Sequence, residues 1–316
     1  MDNKIICRVL TGPTASGKTD IGIQLALEEG WDIICMDSMQ IYRRMDIGTA
    51  KPTEAEMKGV PHYMLNICEP TDHYSVSAYR DAAEKLVKDL HQKDNKEVLF
   101  VGGTALYMQA MMHPMGMGFV AANEQLREEL NQIAETQEGK LKLHQRLEKV
   151  DPDTAGRLPV NDIRRVIRAI EVYEATGVPF SRQPVREQEK DSRFIWRVVS
   201  TAMERNLLYE RINSRVTHMI ACGLKDEVAS LLKEGVPEDA QSMNGLGYKE
   251  MIPVIHGKYS LEDAAEKIRT GTRHYAKRQM TFLRREGIIR YVRTDEENAF
   301  KKIRQYLTQE DKDCEC

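Results

Sequence analysis

The stretch LTGPTASGKTD, residues 10–20, decides the fold. Its spacing, in which four residues separate Gly12 from the triplet Gly17-Lys18-Thr19, is the phosphate-loop pattern. In this pattern the backbone amides surround an anion, the lysine adds a positive charge and the threonine hydroxyl reaches a metal ion. We therefore predict that the loop binds the phosphate groups of a ligand.

The residues on either side of the loop favour the same prediction. Residues 5–10 (IICRVL) predict a short buried strand, and residues 19–30 have the apolar spacing of a helix that ends at Gly30. This order points the N-terminus of the helix, with its positive dipole, at the bound phosphate. A glycine turn that merely joins a strand to a helix is the alternative, but it would need neither Lys18 nor Thr19.

Two further predicted strands end in residues that suit a binding site. Residues 31–38 (WDIICMDS) end in Asp37 and Ser38, and residues 97–104 (EVLFVGGT) end in a glycine pair and a hydroxyl. Residues 74–91, between them, have helical spacing. Strands that alternate with helices form parallel sheets, in which ligands bind at the carboxyl ends of the strands. We therefore predict an α/β fold with a P-loop NTPase-like parallel sheet core flanked by helices.

The rest of the chain predicts additional helical regions. Residues 114–159 are polar, helix-prone and bracketed by prolines and glycines, which is typical of an inserted helical domain. Residues 161–177 predict a helix capped by Asn161, and the C-terminal region is mostly helical. We predict a catalytic core of residues 1–113 and about 160–316, interrupted by the insertion.

The composition is that of a globular protein, with 41% apolar residues, 30% charged residues and a net charge of −3. The six cysteines include no C-x-x-C pair, which favours a reducing compartment over a disulfide framework or a zinc site. The N-terminal residues run directly into a strand that contains Arg8, so we predict no signal peptide. Because no apolar run reaches the roughly 18 residues of a membrane span, we expect a cytoplasmic protein without membrane contact. We also expect it to be a monomer.

Positive charge is concentrated near the C-terminus. Residues 264–290, here called the basic segment, hold eight Lys or Arg and two Glu, a local charge of +6. Arg273, Lys277 and Arg284 have a spacing that puts them on one helical face with aromatic neighbours. Such a face can follow a phosphate backbone and stack on bases. A solvated helix face is the alternative, but the phosphate loop and a second basic run at residues 164–168 favour nucleic acid.

The order of motifs along the chain resembles that of the tRNA dimethylallyltransferases, also called tRNA isopentenyltransferases. The resemblance covers nearly the whole chain. Each motif alone is modest evidence, but nine motifs in the correct order make the resemblance specific. The motifs are GPTASGKT (12–19), DSMQIY (37–42), MDIGTAKP (45–52), VPH (60–62), GGTALY (102–107), NDIRRVIRAIE (161–171), RNLLYERINSRV (205–216), GLGYKE (245–250) and AKRQMTFLR (276–284).

The resemblance implies that the phosphate loop binds the diphosphate of dimethylallyl diphosphate, with a Mg²⁺ ion held by Thr19. Arg215, and with it Arg211, would close over the diphosphate; helix-surface ion pairs with nearby acids are the alternative for these arginines. The predicted diphosphate ligands are Gly12, Pro13, Thr14, Ala15, Ser16, Gly17, Lys18, Thr19, Arg211 and Arg215.

The resemblance also implies that the acceptor is the exocyclic amine of the adenine 3′-adjacent to the anticodon in tRNA. This amine is a weak nucleophile, and a carboxylate that takes its proton would assist the attack. We predict Asp37 as this base, with Thr19 and Arg215 as the other catalytic residues; a role for Asp37 as a magnesium ligand is the alternative.

A stacked adenine must be flipped out to reach a buried site, so we predict extensive RNA contacts. Ser38 and Gln40 are expected to hydrogen-bond the base, Thr104 to contact the target nucleotide, and Arg127, in the insertion, to reach the anticodon stem. A solvated side chain is the alternative for Arg127. The predicted tRNA-binding residues are Asp37, Ser38, Met39, Gln40, Thr104, Arg127, Asn161, Asp162, Ile163, Arg164, Arg165, Asn244, Gly245, Leu246, Gly247, Tyr248, Lys249, Lys277, Arg278, Gln279, Met280, Thr281, Phe282, Leu283 and Arg284.

The chain departs from the family pattern at a few positions. Ala105 stands where the family commonly has glycine, and Asn244 where glutamine is common. Phe282-Leu283 replaces the usual Trp-Phe or Trp-Leu, and Tyr63 replaces a frequent histidine. These departures bear on RNA contacts rather than on the chemistry.

Three other functions use some of the same features. A small-molecule kinase would place ATP in the loop, but the chain offers no clear arginine lid. An enzyme that prenylates free adenine nucleotide would have no use for the basic segment. The third alternative is a nucleic-acid-stimulated ATPase or a non-catalytic RNA-binding module. The ATPase would have paired acids at the end of an apolar strand, whereas Ser38 follows Asp37.

Overall fold

The computed structural model describes residues 4–112, 123–183 and 194–309, so Cys314 and Cys316 and the start of the predicted insertion lie outside it. The strands are β1 (Ile5–Thr11), β2 (Asp32–Cys35), β3 (His62–Tyr63), β4 (Val98–Val101), β5 (Phe194–Ala202) and β6 (Arg290–Arg293). The α-helices are α1 (Lys18–Glu29), α2 (Glu54–Met57), α3 (Val76–Asp94), α4 (Ala105–Met112), α5 (Glu124–Ile133), α6 (Gln137–Val150), α7 (Pro152–Ala155), α8 (Ile163–Thr176), α9 (Arg205–Ala221), α10 (Leu224–Lys233), α11 (Tyr248–Ile255), α12 (Leu261–Leu283) and α13 (Ala299–Thr308).

The strands form one sheet in the order β3-β2-β4-β1-β5-β6, and every pairing is parallel. The predicted parallel sheet is therefore confirmed. The connection after β1 leads to β2 on one side of β1, and the connection after β4 leads to β5 on the other side. β1 and β4 therefore flank the point where the strand order reverses, which is where such sheets bind ligands. The phosphate loop follows β1, Asp37 follows β2, and Gly102–Thr104 follow β4. The three segments therefore meet at the same carboxyl edge.

Both faces of the sheet are covered by helices. Val9 and Phe100 belong to a buried cluster with side chains of α3 and α4, such as Tyr79, whereas Leu10 and Leu99 belong to a cluster with α1 and α13. This alternation along β1 and β4 follows from the two-residue period of a strand. A third cluster joins helices α9 to α12 with residues 41–45. None of the helices in the described ranges combines the length and apolar character needed to cross a bilayer.

By its contacts the chain divides into two compact units, one of residues 1–112 and 192–316 and the other of residues 113–191. The second unit extends beyond the predicted boundary at 159, because α8 packs with α5 and α6 around Leu147 and Ile170. The predicted helix of residues 161–177 begins at Ile163, so its N-cap is Asp162 rather than Asn161.

Candidate active site

The phosphate loop, residues 12–17, is shaped by close contact with β5. Gly12 has φ 138°, and a Cβ atom on it would lie 2.1 Å from the Thr201 Oγ1 atom, so only glycine fits there. The Ser16 hydroxyl donates to Pro13 O at 2.7 Å and lies 2.6 Å from the Thr201 hydroxyl. The Ser16 side chain therefore holds the loop in shape, which leaves a role toward an anion only to its backbone.

Two cations lie where the predicted diphosphate would bind. Lys18 Nζ donates to Pro13 O at 2.6 Å, within its own loop, and Arg215 Nη2 donates to Thr49 O at 3.4 Å. Burial lowers the pKa of Lys18 to about 7; the charge of Arg215 acts in the same direction and that of Asp37 opposes it. Burial also lowers the pKa of Arg215, against the opposing effect of Asp37. Lys18 and Arg215 are therefore two basic groups whose charged forms an anion bound beside them would favour.

The pKa of Lys18 predicts that anion binding is linked to proton uptake. Above pH 7 much of Lys18 is neutral in the free protein, and an anion placed beside it raises its pKa and draws in a proton. Calorimetry of pyrophosphate binding at pH 8, in buffers of different ionisation enthalpy, should show more proton uptake for the native protein than for Lys18→Met. Equal proton uptake by the two proteins would contradict the assigned pKa.

Asp37 is held by its own turn at the end of β2. Its Oδ1 atom accepts hydrogen bonds from the backbone N–H groups of Met39 at 2.8 Å and Gln40 at 3.3 Å. Within the described ranges, Asp37 Oδ2 has no hydrogen-bond donor. The next residue, Ser38, donates its N–H to Thr104 Oγ1 at 3.0 Å, which ties this turn to the residues after β4. One carboxylate oxygen is therefore fixed and the other remains able to accept a proton.

Lys18, Asp37 and Arg215 line one cavity of about 380 Å³ in the first unit. An apolar part of the cavity wall is formed by Ile212, Val216, Met219, Leu246 and Ile268. The cavity also extends to α12, where Tyr275, Arg278 and Gln279 line it. The cavity wall also contains many of the residues predicted to bind the diphosphate or tRNA: Thr14, Thr19, Ser38, Met39, Gln40, Asn244, Gly245, Leu246, Tyr248 and Lys249. The predicted phosphate end and the basic helix therefore open into the same cavity.

The chain matches known proteins over most of its length. The family model described as IPP transferase matches residues 40–286. The chain belongs to the IPP transferase family. It is 46% identical over 287 residues to the tRNA dimethylallyltransferase of Pelotomaculum thermopropionicum, covering 91% of this chain and 90% of that protein. It is 40% identical over 301 residues to the tRNA dimethylallyltransferase of Caldanaerobacter subterraneus, with 95% of each chain covered.

Solved structures show the same relationship. A tRNA isopentenylpyrophosphate transferase from Bacillus halodurans matches with a TM-score of 0.70 and 36% identity, covering 96% of each chain. A eukaryotic dimethylallyltransferase described as acting on tRNA matches with a TM-score of 0.74 and 27% identity, over 92% of this chain and 74% of that one. The predicted membership of the tRNA dimethylallyltransferase family and the predicted fold are therefore confirmed.

Prediction from sequence missed a carboxylate that organises one of the family motifs. Glu227 of α10 accepts hydrogen bonds from the backbone N–H groups of Asp46, Ile47 and Gly48 at 2.8–3.1 Å, and from the Tyr248 hydroxyl at 2.6 Å. These amides lie in MDIGTAKP (45–52), whose Thr49 carbonyl accepts from Arg215. Glu227 therefore supports the loop that positions a predicted diphosphate ligand. No sequence signal marks it, because three of its four partners are backbone N–H groups and all four lie far from it in the chain.

We expect Glu227→Gln to destabilise this loop. A glutamine amide cannot accept from all four donors, and hydrogen bonds to a charged group contribute about 1.5–3 kcal/mol each, less where they are exposed to solvent. Thermal unfolding should therefore shift to lower temperature, and the KM for the diphosphate substrate should rise as Arg215 loses its position. Glu234→Gln is the matched control, since its ion pair with Arg44 is exposed. An unchanged melting temperature and KM would contradict the role given to Glu227.

Some predicted RNA ligands are used within the protein instead. The Gln40 amide donates to Thr49 O and Ala50 O and accepts from the Cys35 thiol, so it is not free to read a base. Tyr248 is fully buried and donates to Glu227, and Leu283 lies in the core with 1% exposure. The predicted RNA contacts of these side chains are therefore not supported. Asn244 likewise donates its amide to Asp239 O and Ala240 O.

In the second unit, the predicted stem contact by Arg127 is not supported. Glu171 is fully buried and accepts hydrogen bonds from Arg127, Arg168 and the N–H group of Asn123. Burial alone would raise the pKa of Glu171, but these hydrogen bonds hold it below its usual value. Arg127 therefore neutralises an internal carboxylate. Arg164 and Arg165 are exposed, and Arg165 pairs with Asp162 at 2.7 Å.

The basic segment is only partly available to a ligand. Arg269 and Arg273 pair with Glu266, and Arg273 also donates to Asn213 at 2.7 Å. Lys277, Arg278, Thr281 and Arg284 are exposed, whereas Gln279 is buried. Within the described ranges, Arg211 and Arg215 form no ion pair with an acid, so the helix-surface pairs that were the alternative for them are absent there. Arg211 lies 3.9 Å from the position of a Cβ atom on Gly17, beside the phosphate loop.

Proposed function

We propose that this protein transfers the dimethylallyl group of dimethylallyl diphosphate to the exocyclic amine of the adenine 3′-adjacent to the anticodon in tRNA, releasing diphosphate. One observation carries the proposal: Lys18, Arg215 and Asp37 line a single cavity that also reaches the basic helix α12. An anion site, a proton acceptor and an entry for RNA are thus combined. Membership of the family supports the same reaction.

The leaving diphosphate would be stabilised at the Lys18 end of the cavity. Charge develops on the diphosphate as the allylic carbon–oxygen bond breaks, and preorganised donors aimed at that charge lower the barrier. Lys18, Arg215 and the phosphate-loop amides next to α1 have this arrangement. Arg211, beside Gly17, would join them when the anion is present. The apolar part of the wall, including Val216 and Met219, suits a five-carbon prenyl chain.

We propose Asp37 as the base for the adenine amine. Its Oδ1 atom is fixed by two backbone N–H groups, which leaves Oδ2 to accept the proton as the new carbon–nitrogen bond forms. Thr104, whose hydroxyl accepts from the N–H of Ser38, is proposed to contact the flipped nucleotide. Both residues belong to loops at the carboxyl edge of the sheet, where a rigid scaffold positions them.

The residues present fit a Mg²⁺ ion held largely by the substrate. Thr19 and Asp37 offer a hydroxyl and a carboxylate at the cavity wall, both oxygen donors of the kind magnesium prefers. The described residues contain no cluster of three or more His, Cys, Asp or Glu that would form an all-protein site. Thr19 would therefore hold the ion together with diphosphate oxygens and water. When bound, magnesium would neutralise charge on the leaving diphosphate.

In the first unit, RNA would contact the exposed cations Lys277 and Arg278 of α12 and Arg284 at its C-cap. Flipping a base costs a few kcal/mol that backbone contacts of this kind offset. In the second unit, Arg164 and Arg165 are the exposed cations that we propose for the anticodon stem. A cytoplasmic location follows from this substrate.

The test is incubation with dimethylallyl diphosphate, magnesium and an anticodon stem-loop that has adenine after the anticodon, followed by mass spectrometry. A mass gain of one five-carbon prenyl unit on the RNA is the expected result. Parallel reactions with free adenine nucleotide and binding assays with ATP distinguish the other functions that a phosphate loop serves. Prenylation of the nucleotide but not of the stem-loop, or binding of ATP in place of the prenyl donor, would overturn the proposal.

A further inference from the structure

Gln279 stands out in α12 because its surroundings differ from those of its neighbours. Lys277 and Arg278 beside it are exposed, whereas Gln279 is 5% exposed. Its position in AKRQMTFLR (276–284) predicts an RNA contact, but its side chain is buried at the cavity wall and is not on the exposed face of α12. A buried amide needs hydrogen-bond partners, and those partners show what Gln279 does.

Both ends of the Gln279 amide are bonded to active-site loops. Its Oε1 atom accepts from the N–H of Thr14 at 2.9 Å, and its Nε2 atom donates to Gly103 O at 2.8 Å. A Cβ atom on Gly103 would lie 2.4 Å from Gln279 Nε2, so this approach requires glycine. One side chain thus joins the phosphate loop to the residues that follow β4.

The contacts continue from Gly103 to the proposed base. Thr104 donates its N–H to Met36 O at 3.2 Å, and its hydroxyl accepts from Ser38 N at 3.0 Å. The backbone from Met36 to Ser38 contains Asp37. Gln279 is therefore a side-chain link between the loop proposed to hold the leaving group and the turn that carries the proposed base.

We propose that Gln279 is a positioning residue that fixes the distance between the diphosphate site and the adenine site. This inference rests on the proposed function. It also follows that the Thr14 amide is committed to Gln279 and is not among the donors to the diphosphate. Gln279 lies on the same helix as Lys277 and Arg278. RNA bound to those two side chains would therefore contact the helix that sets the distance between the diphosphate site and the adenine site.

The expected consequence concerns the rate of transfer more than substrate binding. The diphosphate has donors other than Gln279, and the exposed cations of α12 remain in place without it. A misplacement of reacting groups by 1 Å can slow a reaction about 10²-fold. Loss of the link should therefore lower kcat while the affinity for each substrate alone changes little.

The experiment compares Gln279→Met, which keeps the side-chain length and removes both hydrogen bonds, with Gln24→Met on the exposed face of α1 as control. Single-turnover rates and donor affinity are measured with the anticodon stem-loop, and hydrogen exchange is followed over residues 10–20 and 98–108. We expect Gln279→Met to slow transfer about 10- to 100-fold at nearly native donor affinity, with faster exchange in both segments. The control should behave like the native protein.

A second variant tests the same link from its other end. Gly103→Ala should displace Gln279 Nε2 and slow transfer similarly, and the double variant should be no slower than the more impaired single one. This readout also serves if Gln279→Met is too unstable to isolate. Any of four results would overturn the proposal. These are a native transfer rate in the variants, a fall in donor affinity equal to the fall in rate, additive rate losses in the double variant, or hydrogen exchange that rises in neither segment.

Failure of the proposed function would look different. In that case the native protein itself would not prenylate the stem-loop, whereas hydrogen exchange would still report whether Gln279 links the two segments.

Discussion

Asp37→Asn is expected to slow prenyl transfer about 10²- to 10⁴-fold, the usual contribution of a general base, with nearly unchanged affinity for the anticodon stem-loop. An asparagine Oδ1 can still accept from the N–H groups of Met39 and Gln40, so the turn after β2 should keep its shape. What the variant loses is the oxygen that can take a proton from the adenine amine. The effect should therefore appear in kcat and not in RNA binding.

Single-turnover rates and stem-loop affinities measured on the same preparations provide the check. Asp226→Asn, an exposed change on α10, is the matched control and should leave both quantities at their native values. Weakened RNA binding at an unchanged rate would show that Asp37 contacts the nucleotide without acting as its base.

Magnesium dependence separates the two roles considered for Asp37. If Asp37 mainly held the ion, Asp37→Asn would require more magnesium for half-maximal rate, and high magnesium would restore much of the activity. If Asp37 is the base, saturating magnesium leaves the rate low, because no added cation accepts the proton. Restoration by magnesium would therefore assign Asp37 as a metal ligand.

The parts of this molecule that could be predicted from sequence are those with local patterns. The loop between β1 and α1 is marked by its own glycine spacing, and the buried strands β2 and β4 are marked by apolar runs. β3, with two residues, and β6, with exposed residues around Val292, have no such pattern. They are strands because an existing sheet offers them backbone partners.

The parts that could not be predicted depend on partners far apart in the chain. Gln279 meets Thr14 across 265 positions, and Arg127 meets Glu171 across 44. A glutamine or arginine in a polar helix looks the same whether it faces solvent or an internal acceptor. The resemblance placed Gln279 in an RNA-binding motif, and only the fold shows that the motif combines exposed cations with a buried link.

Lys18→Met is the second change with a large expected effect, a fall in kcat of about 10²- to 10³-fold. Lys18 Nζ now donates to Pro13 O within the phosphate loop and lies at the cavity wall near Asp37 and Arg215. When the allylic bond breaks, the diphosphate gains charge, and an ammonium aimed at it stabilises the transition state more than the bound substrate. Methionine keeps much of the apolar stem of lysine and removes the charge together with the hydrogen bond to Pro13 O.

The pH dependence makes the assignment of Lys18 specific. Because its pKa in the free protein is about 7, donor binding by the native protein should weaken as pH rises above 7, whereas binding by Lys18→Met should lack this dependence. Rates and donor affinities measured from pH 6 to 9, with exposed Lys301→Met as control, test both expectations. A native kcat in Lys18→Met would mean that Arg215 and the loop amides stabilise the leaving group unaided, and that the lysine serves only to hold Pro13.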